Sequence, residues 1–226
     1  PMLDPGRLNF VGYFPMPVRF AMTHGELARM FNAENKIGAD LHVIPMQGWR
    51  RGLYYDQTGL PWIAPSPNLR TLRAAFLYPG IEILQSAGVS VGRGTDTPFE
   101  LFGAPWIRSR DLLDELRRRR IPGVRFRPVS FTPRSGLYKD QPCEGLALEV
   151  TDRARLRSMT LGLEIIAAFW KLYPQHFKLD KTITLLGSAS TVDTLRRGVP
   201  PRSIISSWSP SLARFRSLRS RYLLYR

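Results

Sequence analysis

Apolar side chains along this chain recur mainly at helical spacing, and the runs are separated by stretches dense in Pro and Gly. Thr23-His24-Gly25-Glu26 has the Thr-x-x-Glu spacing of a capping box. Leu27, Met30 and Phe31 follow at helical intervals, so a helix is predicted over 24–34. A second is predicted from Leu69 to Leu84, broken or kinked at Pro79-Gly80, and a third over 110–120, burying Leu112, Leu113 and Leu116. Thr151-Asp152 is read as the cap of a long helix carrying Leu156, Met159, Leu163, Ile166 and Trp170, stopped at Tyr173-Pro174. Shorter helices are expected at 190–197, 201–207 and 210–221, with Pro201 and Pro210 in first turns. Leu41-His42-Val43-Ile44 reads as a strand, as do residues 124–129 and 146–150, the last two pairing across a loop at 132–142. Residues 45–68 hold too many breakers for a regular element and are read as a long ordered loop. The interleaving implies a helix-rich mixed fold, α/β to α+β.

Composition narrows the class. The chain has 226 residues, 43% of them hydrophobic and 11% aromatic, enough to bury a core. No apolar run is long enough for a spanning helix, so no membrane span is expected. A chain opening on Pro rather than Met is expected to be part of something longer. The net charge of +15 is unevenly spread: residues 1–100 carry 9 basic against 8 acidic side chains, and residues 101–226 carry 24 against 10. Arg outnumbers Lys 28 to 5, which either reflects codon composition or equips the second half to meet a polyanion. The basic residues do not alternate with aromatics and no nucleic-acid-binding motif is present, so no nucleic-acid partner is expected. The run Arg117 to Arg120 suits the carbonyl end of its helix and is read as a solvated helix end.

Cys143 is the lone cysteine and is expected to be a buried thiol. His24, His42 and His176 form no His-x-x-x-His pair, and neither a metal nor a cofactor is expected. The densest polar chemistry lies in residues 88–106. There Gly92 and Gly94 flank Arg93, whose planar fork of donors suits a carboxylate, and Ser90, Thr95, Asp96 and Glu100 lie nearby. The pattern fits a ligand-binding turn and equally a turn tied by an internal salt bridge.

The block LYPGIEILQSAGVSVGRGTDTPFELFGAPWI at 77–107 resembles the bacterial domain-of-unknown-function family that includes the NamZ-type exo-β-N-acetylmuramidases. So do FVGYFPMPVR at 10–19, MTHGELARMFN at 22–32, GADLHVIPMQGWRR at 38–51, GLPWIAPSPNLRTL at 59–72, QPCEGLALEVTD at 141–152 and RSRYLLY at 219–225. The resemblance implies a longer secreted or periplasmic protein with an N-terminal Rossmann-like portion. It implies hydrolysis of terminal N-acetylmuramic acid from peptidoglycan fragments in a cleft between the two portions, with the leading catalytic acid on the missing N-terminal portion. Residues 1–108 would complete the Rossmann-like portion and its cleft loops, and residues 109–226 would form a C-terminal α+β auxiliary domain. Two positions depart from the family pattern: Gln85 stands where Glu is typical, and Phe20 where His is common.

On that basis Arg93 is the candidate contact for the lactyl carboxylate of muramic acid. Trp49 and Trp62 are candidates for stacking on sugar faces, and Asn68, Ser90, Thr95 and Asp96 for hydroxyl contacts. The catalytic residues are not assigned. The competing expectation is a non-catalytic member that adheres to the cell wall or another polyanion through its arginine-rich half. Residues 110–226 are expected to fold around their own core. The segment before residue 100 is expected to lean on the missing portion, leaving an apolar patch exposed.

Overall fold

The computed structural model describes residues 1–5, 12 and 14–225; of the 10–19 string, Phe10, Val11 and Tyr13 lie outside them. Helix α1 runs His24–Glu34 and opens with the predicted capping box: Glu26 accepts from the Thr23 amide at 2.8 Å and Thr23 accepts from the Glu26 amide. Helices α2 (Leu72–Ile81) and α3 (Ile83–Ser86) occupy the second predicted helix. The start moves to Leu72 because Thr71 is the cap, its side chain accepting from the Ala74 amide. Strand β1 (Leu101–Ala104), helix α4 (Ser109–Arg118) and strands β2 (Val124–Phe131) and β3 (Cys143–Val150) follow. The long helix α5 spans Ser158–Leu172, and α6 (Ile183–Leu186), α7 (Ala189–Arg196), α8 (Pro201–Ser207) and α9 (Ser209–Ser220) close the chain.

The sheet has the order β1-β3-β2, all antiparallel. The β2–β3 hairpin forms across the predicted loop, with Phe126 opposite Leu148 and Phe131 opposite Cys143. Strand β1 was hidden inside the glycine-rich block. Its Gly103 faces Gly145 of β3, where a Cβ would strike the Phe102 carbonyl, so the two backbones meet where side chains cannot.

Two expectations are corrected. Leu41–Ile44 forms no strand: no described segment pairs with it, and Leu41 and Ile44 are exposed. Together with Ile37, Met46, Leu60 and Ile63 they make a strip of exposed apolar side chains between residues 37 and 63. Helix α5 begins at Ser158 rather than after Asp152, whose carboxylate instead accepts from the Ala154 and Arg155 amides and holds a turn.

One apolar cluster runs from Ala74 to Ile204, with Leu77, Phe102, Leu116, Leu146 and Phe169 fully buried or nearly so. At its centre α2 crosses α5 through Gly80 and Gly162. A Cβ on Gly80 would coincide with the Ser158 carbonyl, and one on Gly162 would lie 2.7 Å from the Gly80 oxygen. The buried thiol of Cys143 is pushed up to about 11 by burial.

Arginines answer the acids inside this frame. Glu115, buried on α4, accepts from Arg118, Arg119 and Lys171, and Arg119 also reaches the buried Glu164 at 2.8 Å. Arg118 and Arg119 of the four-arginine run are therefore structural ion-pair partners. At the other end Glu26 is fully buried and accepts from Arg51 (2.5 Å) and from the Leu224 and Tyr225 amides (2.8 and 3.4 Å). Burial raises its pKa, and the Thr23 and Leu224 amides with Arg51 outweigh that and hold it below the usual carboxylate range.

Two outcomes are expected. Gly162→Ala forces the α2–α5 crossing apart and lowers stability by about 2 kcal/mol or more, read as a fall in the urea midpoint. Burial alone would raise the Glu115 carboxyl, but Lys171, Arg118 and Arg119 depress it from 4.5 to about 2. Its contribution is complete above the unfolded value and is lost as pH falls from about 4.5 toward 2, on the order of 3 kcal/mol in total. Urea titrations across that window are expected to show Glu115→Gln with a shallower loss than the unsubstituted protein.

Candidate functional site

The residues that follow the α2–α5 crossing build a charged turn. Glu82 joins α2 to α3, and Gln85 lies one helical turn further on the same face. Arg93 returns over both: its Nε donates to the Gln85 carbonyl oxygen at 2.7 Å and its Nη2 to Glu82 Oε1 at 2.8 Å. The guanidinium also lies over the Phe99 ring, 5.1 Å from its centroid, and Tyr78 packs edge-on against the same ring.

The turn is held by its own backbone. Gly92 and Gly94 have φ of 78° and 81°, a region that side chains disfavour. A Cβ on Gly94 would lie 2.5 Å from the Ser135 carbonyl, because the 132–142 loop folds onto it; Arg134 donates its amide to the Gly94 carbonyl and its side chain pairs with Asp96 at 2.5 Å. The glycines thus admit the chain's own loop at close range. Phe99 has φ of 65°, strained for a bulky side chain, and its amide donates to the Val91 carbonyl, closing the turn.

Glu82 carries the unusual chemistry. Its Oε2 is buried and has no hydrogen-bond partner among the described residues. Burial raises its pKa above the usual carboxylate value, and Arg93 only partly opposes this. Tyr78 is likewise raised, by burial and then by Glu82. The carboxyl borders a cavity of about 440 Å³ whose walls include Phe14, Phe20, Phe31 and Tyr78. At the opposite end of α2 the buried Glu100 accepts from Thr71 at 2.5 Å and pairs with Arg73.

The predicted site residues separate into groups. Ser90 is buried, accepts from the Gly92 amide and bridges Gly103 through its backbone; Thr95 donates to the Gly92 carbonyl and accepts from the Thr97 amide. Both brace the Arg93 turn. Trp62 packs edge-on against Tyr55 and donates to the Leu69 carbonyl, while the half-buried Asn68 makes no side-chain hydrogen bond among the described residues. Trp49 belongs elsewhere, edge-on to Tyr225 and beside Arg51.

Two matching regions divide the chain within α2. Residues 1–73 match the family described as the exo-β-N-acetylmuramidase NamZ, N-terminal, and residues 76–225 match its C-terminal counterpart. The chain belongs to the NamZ family. It is 39% identical over 228 residues to the peptidoglycan β-N-acetylmuramidase NamZ of Bacillus subtilis strain 168, a match that covers 100% of this chain and 55% of that protein. Two crystal structures of DUF1343 family proteins from Bacteroides fragilis superpose with TM-scores of 0.86 and 0.78, at 30% and 28% identity. Each match covers 100% of this chain and 62% of the other. The chain thus spans about half the length of the curated relative it matches.

Within the NamZ frame, Gln85 and Phe20 both flank Glu82: Gln85 shares Arg93 with it, and Phe20 lines the same cavity. Sequence reasoning missed Glu82 itself. The signal was present, since Glu82 is the single acid between Asp56 and Asp96 and sits inside an apolar helical run, where an acid needs a partner. Arg93→Ala is expected to raise the Glu82 pKa further, because the group that lowers it is gone; carbon-detected carboxyl titration by NMR reads the shift.

Proposed function

We propose that this chain is the C-terminal, cleft-forming part of a peptidoglycan-directed exo-glycosidase that releases terminal N-acetylmuramic acid, with the leading catalytic acid on the portion the longer relatives carry. The observation that carries the reading is the match to the Bacillus NamZ across the whole chain, which includes the Arg93 turn. In this reading Arg93 meets the lactyl carboxylate. Its Nε and Nη2 already hold Gln85 and Glu82, and among the described residues Nη1 meets no acceptor, so one edge of the guanidinium stays available. With an amide at Gln85, the Arg93 turn carries a single carboxylate, that of Glu82. Residues 1–108 contribute the cleft loops, and Trp62 and Asn68 bring an aromatic edge and an amide toward the sugar.

The exposed apolar strip from Ile37 to Ile63 is the surface that the rest of the longer protein covers. Peptidoglycan as substrate puts the site of action outside the cytoplasm, in the periplasm or beyond. Among the described residues no helix is long and apolar enough to cross a membrane. The competing polyanion-adhesion reading draws on free arginines, and several in the second half are already paired: Arg119 with Glu115 and Glu164, Arg153 with Asp56, and Arg196 with Asp180 and Asp193.

The test is hydrolysis of a chromogenic N-acetylmuraminide by the full-length protein. Activity is expected there and not on the N-acetylglucosaminide, and Arg93→Ala is expected to lower kcat/KM by about 10- to 100-fold, the value of one charge-assisted hydrogen bond. Equal hydrolysis of both glycosides, or an unaffected Arg93→Ala, overturns the reading.

A further inference from the structure

Away from the Arg93 turn, α7, α8 and α9 meet residues 1–4. Two cavities adjoin there and share Trp208 and Pro1 in their walls. The first, of about 280 Å³, is lined by the hydroxyls of Ser188, Ser190, Thr191, Thr194, Ser207 and Ser211. The second, of about 390 Å³, is lined by Arg19, Arg157, Arg216 and Arg219 over an apolar floor that includes Met159 and Phe215, with no carboxylate in its wall. The Trp208 indole stands between them, its Nε1 donating to Thr191 Oγ1 at 3.3 Å.

The two compartments have opposite hydrogen-bonding character. In the first, hydroxyl protons are directed inward: Thr194 donates to the Ser190 carbonyl, Ser207 to that of Ile204 and Ser211 to that of Trp208. What remains for a ligand is mainly the lone pairs of these hydroxyl oxygens. That compartment takes O–H donors. The second presents four guanidinium groups; Arg19 donates Nη1 to Ser158 Oγ, Arg157 to the Ala154 and Leu156 carbonyls and Arg219 to those of Phe20 and Ala21, which leaves their other nitrogens for a ligand. Burial lowers the Arg219 pKa most, Arg51 and Arg216 add to it and Glu26 opposes it, and among the described residues its buried Nε has no partner. An anion placed in this cavity offsets the positive charge of its four guanidinium groups. A ligand that satisfies both halves carries several hydroxyls on a ring, an apolar face for Trp208 and one negative group on one side.

We infer that this paired cavity is a second binding site for an acidic saccharide, its hydroxyls in the Ser/Thr compartment and its anionic substituent among Arg19, Arg157, Arg216 and Arg219. The inference takes from the proposed function only that the protein meets acidic sugars, and it needs no hydrolysis. The measurement is the indole N–H resonance of Trp208 in the full-length protein, assigned through Trp208→Phe and followed during titration. The probes are N-acetylmuramic acid, N-acetylglucosamine 6-phosphate and N-acetylglucosamine. The resonance is expected to shift with at least one acidic sugar, and the tighter of the two identifies carboxylate or phosphate as the anion; the neutral sugar is expected to bind at least 10-fold more weakly. The double variant Arg157→Glu, Arg216→Glu is expected to weaken the acidic sugar at least 10-fold, and Ser211→Leu, which fills the hydroxyl compartment, to weaken it as well. Arg93→Ala is expected to leave the Trp208 shift intact. The inference is overturned if neither acidic sugar moves the resonance, if the neutral sugar binds equally, or if the arginine variant binds unchanged. Loss of hydrolysis with the Trp208 shift retained counts against the proposed function alone.

Discussion

The crossing of α2 over α5 at Gly80 and Gly162 is the constraint on which the charged turn depends. Backbone meets backbone there, and no side chain other than hydrogen fits between. That closeness buries the C-terminal half of α2 and delivers Glu82, two residues past Gly80, to the edge of the core with one oxygen on Arg93 and the other unpartnered among the described residues. Arg93 then fixes the 88–99 turn, and the turn leads directly into β1 and the sheet. A wider crossing would withdraw Glu82 from Arg93 and loosen the turn that both share.

Buried acids set the pattern of arginines through the molecule. Glu26, Glu82, Glu100, Glu115 and Glu164 each have an arginine partner: Arg51, Arg93, Arg73 and, for the last two, Arg119. An acid taken out of water without such a partner would protonate or destabilise the fold. Arg serves better than Lys in these places because its planar donors reach two acceptors at once, as Arg119 and Arg93 both do. Part of the positive charge is thus tied to internal chemistry, and the arginines around Trp208 stand out because no carboxylate shares their cavity.

What the sequence made legible was local. The capping box at Thr23 and Glu26, the stop at Tyr173-Pro174 and the hairpin across 132–142 depend on neighbours a few residues away, and the chain adopts them. The Leu41–Ile44 run and strand β1 show the limit, because a strand is decided by its partner: the first finds none among the described residues, and the second is four residues long and made by β3. At the candidate site the glycines around Arg93 pointed to a close backbone approach. Which surface approaches was not readable, and it is Ser135 of the same chain. Glu82 was visible as an isolated acid, yet its pairing with Arg93 needs the turn to fold back over eleven residues.

The Glu26 carboxylate joins residues 198 and 199 positions apart, gathering the start of α1, the 45–68 loop and the amides of Leu224 and Tyr225. A contact of that span gains nothing until the chain between is in place, since closing so long a loop costs entropy that only the assembled core offsets. The carboxylate is therefore a closing latch in the order of folding, formed after the sheet and the α2–α5 pair. In a nascent chain it is set only once Leu224 and Tyr225 have emerged, so α1 waits for a segment 198 positions downstream to acquire its final partner.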